Sequence, residues 1–268
     1  MDSKDSGRRI TQDLFSIAGK VAVVTGGSRG IGLMIARGFV ESGAKVYISS
    51  RKKEVCDQVA ADLSKMGTCI SVPADLSAEA GIKALADAVA ATEKAVHILV
   101  NNAGTNWGAP LEKYPESAWD KVHDLNVKAI FVTTQHFLPL LEKGGRAGDP
   151  ARVINIGSID GIRVPFVENF AYSASKAAVH HLTRVLAQHL GKRGISVNAI
   201  APGPFESKMT EWLLDTFKPA IVAACPLGRI GTPEDMAGIA IYLSSRAGAY
   251  LNGVVIPVDG GISTKPSA

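Results

Sequence analysis

Short apolar runs alternate with longer amphipathic stretches along most of the 268 residues. The apolar runs are rich in valine and isoleucine, and they lack the alternation of apolar and polar residues that marks a strand with one wet face. Such runs are typical of parallel strands that helices cover on both faces. The pattern predicts seven strands, which lie within residues 20–26, 45–50, 68–75, 96–104, 151–158, 195–203 and 254–261.

Amphipathic helical segments fill the intervals between these strands. The alternation predicts an α/β fold in which a doubly wound parallel sheet is flanked by helices, with right-handed crossovers. No linker or repeat divides the chain, so we expect a flexible tail over residues 1–14 and a single domain over 15–268, with a surface loop at 142–150. The predicted helices lie at 31–43, 54–67, 77–94, 116–141, around residue 176 and within 232–245.

A glycine-rich turn follows the first predicted strand and reads TGGSRGIG over residues 25–32. Glycines let the backbone turn sharply and approach a pyrophosphate, which the free N–H groups of a helix N-terminus then bind. A plain strand–helix connection also uses glycine, but the βαβ context favours a dinucleotide site. The cofactor contacts expected here are Gly26, Ser28, Arg29, Gly30, Ile31 and Gly32.

The end of the second strand indicates which dinucleotide binds. Enzymes that use NAD place an acidic residue there to hold the ribose 2′-hydroxyl. This chain has Ser50 instead, followed by Arg51 and Lys52, and Arg29 lies within the glycine turn. Cations at this position suit a 2′-phosphate, and positive charge is unfavourable at the start of a helix. The sequence therefore predicts NADP(H) as the cofactor.

Tyr172 and Lys176 lie four residues apart within the stretch FAYSASKAAV. On a helix these two positions share one face, so both side chains can serve one site. The same spacing is common by chance on solvated helices. Following a fifth strand in a dinucleotide-binding chain, the pair is better interpreted as catalytic.

Composition narrows the class of protein. The net charge of +4 is mild and gives no basic patch for nucleic acid. Three widely spaced cysteines predict neither disulfides nor a zinc site, and no histidine spacing suits a metal. The polar N-terminus lacks the apolar segment of a secretory signal, and no run is long enough to cross a membrane. We expect a cytoplasmic protein with no membrane or nucleic-acid partner and no bound metal.

The motifs together resemble the short-chain dehydrogenase/reductase family, a Rossmann-type group of oxidoreductases. TGGSRGIG, NNAG at 101–104, Ser158, YSASK at 172–176 and PG at 202–203 occur in the order typical of that family. The resemblance runs from Gly19 to Gly261. Two further stretches, GTNWGAPLEKYPESAWDKVHDLNV and IAPGPFESKMT, are similar to its 3-oxoacyl reductase branch, including the reductases associated with rhamnolipid synthesis.

The resemblance implies a catalytic tetrad of Asn126, Ser158, Tyr172 and Lys176. Ser173 and Ser175 compete with Ser158 for the serine role, but they face away from Tyr172 on a helix. Asn126 would hold a water that links Lys176 to solvent. Further cofactor contacts implied by the resemblance are Asp75 at the adenine, then Leu76, Asn102, Ala103, Gly104, Tyr172, Lys176, Pro202 and Gly203.

The tetrad suits ketone reduction, in which carbon receives a hydride and oxygen receives a proton. A free tyrosine titrates at a pKa of about 10, and a neighbouring ammonium is expected to lower that pKa. We therefore expect Tyr172 to donate the proton, Lys176 to assist it and bind the nicotinamide ribose, and Ser158 to hold the carbonyl oxygen.

The leading hypothesis is an NADPH-dependent carbonyl reductase acting on 3-oxoacyl thioesters. Dehydrogenation of a steroid, sugar or polyol remains an alternative, as does a redox-silent NADP-binding regulator. By resemblance, and from the extra apolar positions after Tyr172, we expect a homotetramer or a dimer. An amphipathic segment at 205–225 could cover the active site or merely the sheet edge; its apolar residues are Met209, Trp212, Leu213, Leu214, Phe217 and Ile221.

Overall fold

A single parallel sheet organises the computed structural model, which describes residues 10–208 and 210–264. Within these residues the sheet has seven strands in the order β3-β2-β1-β4-β5-β6-β7, and every pairing is parallel. The predicted doubly wound α/β fold and its seven strands are confirmed. The strands are β1 (Val21–Thr25), β2 (Lys45–Ser49), β3 (Thr68–Ser71), β4 (Ile98–Asn101), β5 (Ala151–Ile156), β6 (Ile195–Pro202) and β7 (Val255–Val258).

Helices connect successive strands and cover both faces of the sheet. Buried side chains form two apolar layers, one of which includes Ile35 and Met236 and the other Leu85 and Phe137. The central strands β1, β4, β5 and β6 are buried along their whole length, which explains their continuous apolar sequences. The helices are α1 (Ile10–Phe15), α2 (Gly30–Glu41), α3 (Lys53–Leu63), α4 (Glu79–Ala90), α5 (Glu116–His123), α6 (Ala129–Gly144), α7 (Phe170–Leu190), α8 (Glu211–Ala224) and α9 (Pro233–Ser244).

The strand order reverses between β1 and β4. From β1 the chain proceeds to β2 and β3 on one side, and then returns to place β4 on the other side. Helices that follow the strands on either side of such a reversal diverge, which opens a crevice at the carboxyl ends of the strands. The glycine turn after β1 and the NNAG segment at the end of β4 meet at this crevice.

The long helix predicted over 116–141 is interrupted in the structure. A π-helical turn at Asp124–Lys128 separates α5 from α6. Asn126 lies in this turn and is fully buried. A widened turn displaces the following residues around the helix axis and often marks a functional position.

Two boundary predictions need correction. Residues 10–14 were assigned to a flexible tail, but they form most of α1, and the Phe15 ring lies 6.2 Å from the Tyr242 ring. The rest of the predicted tail, residues 1–9, lies outside the described residues.

The loop predicted over 142–150 is not wholly on the surface. Its first three residues complete α6, and Asp149 is only 6% exposed. The Asp149 carboxylate accepts hydrogen bonds from Lys20 at 3.0 Å and Arg152 at 2.9 Å. Arg152 is 1% exposed and its Nε donates to the Leu243 carbonyl at 2.9 Å. A buried arginine requires a partner for its charge, and Asp149 is that partner for Arg152. The pair holds the loop in place.

In the described part of the chain, no helix combines the length and apolar character needed to span a membrane.

Candidate active site

The glycine turn forms a close-packed cradle between β1 and α2. Gly26 and Gly30 have φ values of +65° and +52°, which side chains other than glycine rarely adopt. A Cβ on Gly26 would lie 2.8 Å from Asn102 Nδ2, and one on Gly32 would collide with the Gly26 carbonyl. No side chain caps the N-terminus of α2, so its first N–H groups stay available.

Thr25 and Asn102 tie this cradle to the end of β4. Thr25 Oγ1 accepts hydrogen bonds from the backbone N–H groups of Asn102 at 2.9 Å and Ala103 at 3.1 Å. Asn102 Nδ2 donates to the Thr25 carbonyl at 2.9 Å and to the Gly26 carbonyl at 3.2 Å. Asn102, the second asparagine of the NNAG segment, therefore shapes the cradle with its own side chain. The sequence analysis did not foresee this role.

Exposed cations flank the mouth of the cradle at the end of β2. Ser50 is partly buried, whereas Arg51 and Lys52 are exposed, as is Arg29 within the turn. Among the described residues none of these three cations forms an ion pair within 4.0 Å, whereas the neighbouring Lys53 pairs with Asp57 at 2.5 Å. An unpaired cationic cluster beside a backbone cradle fits a phosphorylated dinucleotide.

Asp75 and Leu76 follow β3 at the same edge of the sheet, where the strands have their carboxyl ends. Asp75 Oδ1 accepts hydrogen bonds from Ser77 N at 3.0 Å and Ser77 Oγ at 2.8 Å, which fixes the turn before α4. The backbone hydrogen bond from Ser77 holds the pKa of Asp75 below its usual value, and the charge of Arg51 adds to this effect. Leu76 is buried in the core, while Asp75 is exposed toward the cradle's cationic rim.

Ser158 and Tyr172 approach each other from β5 and α7. Ser158 lies two residues after β5, is 7% exposed, and is close enough to Tyr172 for its hydroxyl to act on the pKa of the phenol. Its Oγ also accepts the backbone N–H of Asp160 at 3.1 Å, so its hydroxyl proton remains free to be donated. The two rivals have other partners, because Ser173 donates to Asn169 Oδ1 at 2.7 Å and Ser175 to the Tyr172 carbonyl at 2.7 Å.

Lys176 lies one helical turn after Tyr172 and is 5% exposed. Its Nζ donates to the Ile156 carbonyl at 2.8 Å and lies 5.4 Å from the centroid of the Tyr172 ring. No carboxylate of the described residues is within ion-pair distance of it. Burial lowers the pKa of Lys176 to about 8, although the more distant charge of Asp160 opposes this.

The expectation that Lys176 lowers the pKa of Tyr172 is wrong for the protein alone. Burial, assisted by the negative charge of Asp160, raises the pKa of Tyr172 to about 12, and the nearby Ser158 hydroxyl offsets only part of this. The ammonium lies over the face of the ring and bonds a backbone carbonyl, so it does not contact the phenol oxygen. Tyr172 is therefore held as the neutral phenol, the form that can donate a proton.

Asn126 links the π-helical turn to the neighbouring loop and to α7. Its Oδ1 accepts the Thr105 N–H at 2.8 Å, and its Nδ2 donates to the Thr105 carbonyl at 2.9 Å and to Ser175 Oγ at 3.0 Å. Both amide protons are thus engaged with protein atoms. These contacts give Asn126 a structural role beneath Tyr172 and Lys176; the water-holding role remains a prediction.

Pro202 and Gly203 complete the crevice at the end of β6. The Gly203 N–H donates to the Val258 carbonyl of β7 at 2.9 Å, and a Cβ on Gly203 would lie 2.6 Å from Asp259 Cβ. The structure thus brings the predicted residues from the ends of β1, β4, β5 and β6 to one edge of the sheet. Sequence reasoning missed Thr25, Thr105, Asp160 and Asn169, although each lies within or close to a motif that it quoted.

Comparisons with known proteins agree with this arrangement. The family described as enoyl-(acyl carrier protein) reductase, the adh_short_C2 group of short-chain dehydrogenases, matches residues 26–263. The rhamnolipids biosynthesis 3-oxoacyl-[acyl-carrier-protein] reductase of Pseudomonas aeruginosa is 52% identical over 249 residues, which cover 92% of this chain and 97% of that protein.

Two solved structures share the fold. The Pseudomonas aeruginosa RhlG/NADP active-site complex has a TM-score of 0.91 and 51% identity, with 94% of this chain and 99% of that chain covered. A gluconate 5-dehydrogenase from Burkholderia cenocepacia, in complex with NADP and tartrate, has a TM-score of 0.88 and 31% identity, with 96% and 100% covered.

The burial of Lys176 predicts a gain in stability when its charge is removed. Because its pKa in the folded chain lies below the usual 10.5, the charged form costs stability below pH 8, and this cost disappears as the pH rises toward 10.5. We expect Lys176→Met to raise the melting temperature at pH 7 by roughly 2–6 °C and to abolish turnover. The difference in melting temperature between Lys176→Met and the wild type should shrink at pH 10.

Thermal unfolding of the cofactor-free protein followed by circular dichroism measures this effect. Lys192→Met, at an exposed position, serves as the control and should leave the melting temperature nearly unchanged. An equal or lower melting temperature for Lys176→Met at pH 7 would show that burial of the ammonium carries no cost.

Proposed function

The chain belongs to the short-chain dehydrogenase/reductase family of oxidoreductases, and we propose that it is an NADPH-dependent reductase of 3-oxoacyl thioesters. The observation that carries this proposal is that Lys176 lies over the Tyr172 ring, near Ser158, at the same edge of the parallel sheet as the glycine cradle that follows β1. The high identity to a 3-oxoacyl reductase over nearly the whole chain supports the substrate class.

We assign NADP(H) to the crevice between β1 and β4. The cradle glycines and the free N-terminus of α2 would hold the pyrophosphate, and Arg29, Arg51 and Lys52 the 2′-phosphate. Asp75 and Leu76 would border the adenine, Asn102, Ala103 and Gly104 the ribose, and Pro202 and Gly203 the nicotinamide end. When bound, the reduced cofactor supplies the hydride.

The residues of the chain supply orientation and the proton. The Ser158 hydroxyl, with its acceptor side fixed by the Asp160 N–H, would donate to the substrate carbonyl oxygen. Tyr172, held neutral, would donate its proton to the same oxygen. Lys176 would stabilise the phenolate that remains, since its ammonium lies over the ring in surroundings where a charge interacts strongly.

Removal of the phenol oxygen tests the proton donor. Tyr172→Phe keeps the ring under Lys176 but leaves nothing to donate, so we expect kcat below about a thousandth of the wild-type value. NADPH binding, followed by fluorescence titration, should remain within about twofold. Tyr250→Phe, at a fully exposed position, is the matched control. Substantial turnover by Tyr172→Phe would assign proton donation to another group.

Charge at the end of β2 tests the choice of cofactor. We expect the wild-type protein to prefer NADPH. Ser50→Asp combined with Arg51→Ala should shift the ratio of kcat/KM values toward NADH by roughly 10- to 100-fold. The double variant loses charge-assisted hydrogen bonds, and its new carboxylate repels the 2′-phosphate. Lys53→Ala is the control, since Lys53 already pairs with Asp57. A wild-type protein that uses NADH equally well would refute the charge argument.

An apolar wall beside the site supports a long acyl substrate. Phe166, in the loop between Ser158 and Tyr172, packs edge-on against Phe217 of α8 at 5.8 Å, and Trp212 packs against Phe217 at 5.8 Å. Trp212 is 68% and Phe166 63% exposed. Exposed aromatic residues grouped in this way often mark a binding surface.

The predicted amphipathic segment at 205–225 has residues that suit each of the two purposes that the sequence left open. Leu214 and Ile221 are buried and attach α8 to the core. Trp212 and Phe217 remain on the outer side with Phe166. Met209, another apolar residue of the segment, lies outside the described residues.

Chain length distinguishes the proposed substrate from the alternatives. We expect kcat/KM for 3-oxoacyl thioesters to rise with acyl length, by up to roughly fourfold per buried methylene, and Trp212→Ala to flatten this rise. Tyr250→Ala, which removes a fully exposed aromatic ring outside α8, is the control. A profile that does not depend on length, or best activity on a sugar acid, would favour the sugar or polyol alternative that the gluconate 5-dehydrogenase match represents.

We also propose a homotetramer or dimer in the cytoplasm. Val179 and Leu186 of α7 are buried within the subunit, but Val185 of the same helix stays 41% exposed, as do Trp119 of α5 at 42% and Phe131 of α6 at 47%. These apolar side chains on neighbouring helices support an interface. The three cysteines are free and buried, which suits a reducing compartment.

A further inference from the structure

A single carboxylate connects the serine loop to the helix that carries Tyr172. Asp160 lies two residues after Ser158, and its backbone N–H donates to Ser158 Oγ at 3.1 Å. Its side-chain Oδ2 accepts a hydrogen bond from Asn169 Nδ2 at 3.1 Å. Asn169 immediately precedes α7, is 3% exposed, and accepts the Ser173 hydroxyl at 2.7 Å. Asp160 therefore joins the two elements whose side chains must meet for proton transfer.

The charge of Asp160 acts on the same two elements. The charged groups that face it are Arg163 on its own loop and Lys176 on α7, and Arg163 also faces Asp259 after β7. Burial raises the pKa of Asp160, while the Asn169 hydrogen bond and both cations oppose that shift. Lys176 in turn faces His180, whose buried imidazole has a pKa lowered to about 4 and therefore stays neutral.

We propose that Asp160 is a positioning residue that, through its hydrogen bond with Asn169, orders the Ser158 loop against the helix that carries Tyr172, and that its negative charge sets the pH dependence of proton transfer. This inference rests on the proposed role of Tyr172 as proton donor. It does not depend on which carbonyl compound is the substrate. Asp160 is assigned no contact with substrate or cofactor.

The sign of the effect follows from electrostatics. A carboxylate disfavours the neighbouring phenolate and favours the neighbouring ammonium, so its loss should let Tyr172 and Lys176 each release a proton at lower pH. Reduction requires the protonated phenol and should therefore fall at lower pH. Oxidation requires the phenolate and should rise at lower pH. Both changes depend on the protonation of the same phenol, so we expect them to occur together.

Variants at position 160 separate charge from hydrogen bonding. Asp160→Asn removes the charge but keeps an oxygen that can accept from Asn169, whereas Asp160→Glu keeps the charge. Asn169→Ala removes the hydrogen bond and leaves the carboxylate in place. For each full-length variant, kcat/KM is measured from pH 6 to 12 in both directions, on any ketone and alcohol pair that the wild-type protein converts.

For Asp160→Asn we expect the pH at which reduction falls, and the pH at which oxidation rises, to move down together by roughly one unit. Asp160→Glu should keep both positions near those of the wild type. Asn169→Ala should lower kcat/KM without moving either of these two pH values. If Asp160→Asn does not fold, as judged by circular dichroism, Asp160→Ser serves as the neutral variant.

The inference would be overturned if, in the neutral variant, reduction fell and oxidation rose at the same pH values as in the wild type. It would also be overturned if Asp160→Glu lowered these pH values as much as the neutral variant does. Tyr172→Phe is tested beside these variants. If that variant retains turnover, the proposed function fails at its proton donor; if it is inactive while the neutral variant keeps wild-type pH positions, only the role of Asp160 fails.

Discussion

The burial of one ammonium group without a carboxylate in contact is the constraint on which the site depends. Lys176 lies on the inner face of α7, and among the described residues its Nζ meets only a β5 carbonyl and the face of Tyr172. Removal of a cation from water is costly, and the lowered pKa of Lys176 expresses that cost. A charge that is not neutralised by a neighbour remains available to stabilise a phenolate, which is what the proposed proton donation by Tyr172 requires.

The opposite edge of the sheet shows how the same chain treats a buried cation that has no chemical task. There Arg152 and Lys20 share the carboxylate of Asp149, and Arg152 also donates to the carbonyls of Leu243 and Ser245. Every charge in this group has a partner at hydrogen-bond distance. The difference between the two edges therefore lies in pairing. At the amino ends of the strands the charges are satisfied and hold the fold together, and at the carboxyl ends one cation is left to act.

Regular features of the fold and the backbone cradle could be predicted from the sequence because they depend on local patterns. Strands buried on both faces need continuous apolar runs, and a sharp turn at Gly26 and Gly30 needs positive φ, so both leave a direct mark in the sequence. The π-helical turn around Asn126 left no such mark, since an insertion into a helix preserves its residue types. Residues 142–150 were predicted to be a surface loop because their sequence is polar. The contacts with Lys20 and Arg152 that bury Asp149 depend on the tertiary structure, so the local sequence does not reveal them.

The direction of the Tyr172 pKa was beyond sequence reasoning for a related reason. Spacing placed Tyr172 and Lys176 on one face of a helix, but it could not show that the ammonium would lie over the ring, or that Asp160 would face the pair from another element. Distance and burial decide the sign of an electrostatic effect, and both depend on how β5, its loop and α7 pack. The structure replaces a phenol activated by its lysine with a phenol kept neutral by burial and by a carboxylate. In the mechanism that we propose, the lysine acts on the product of proton transfer, so the pair would hold the proton firmly before the substrate binds and still release it during reduction.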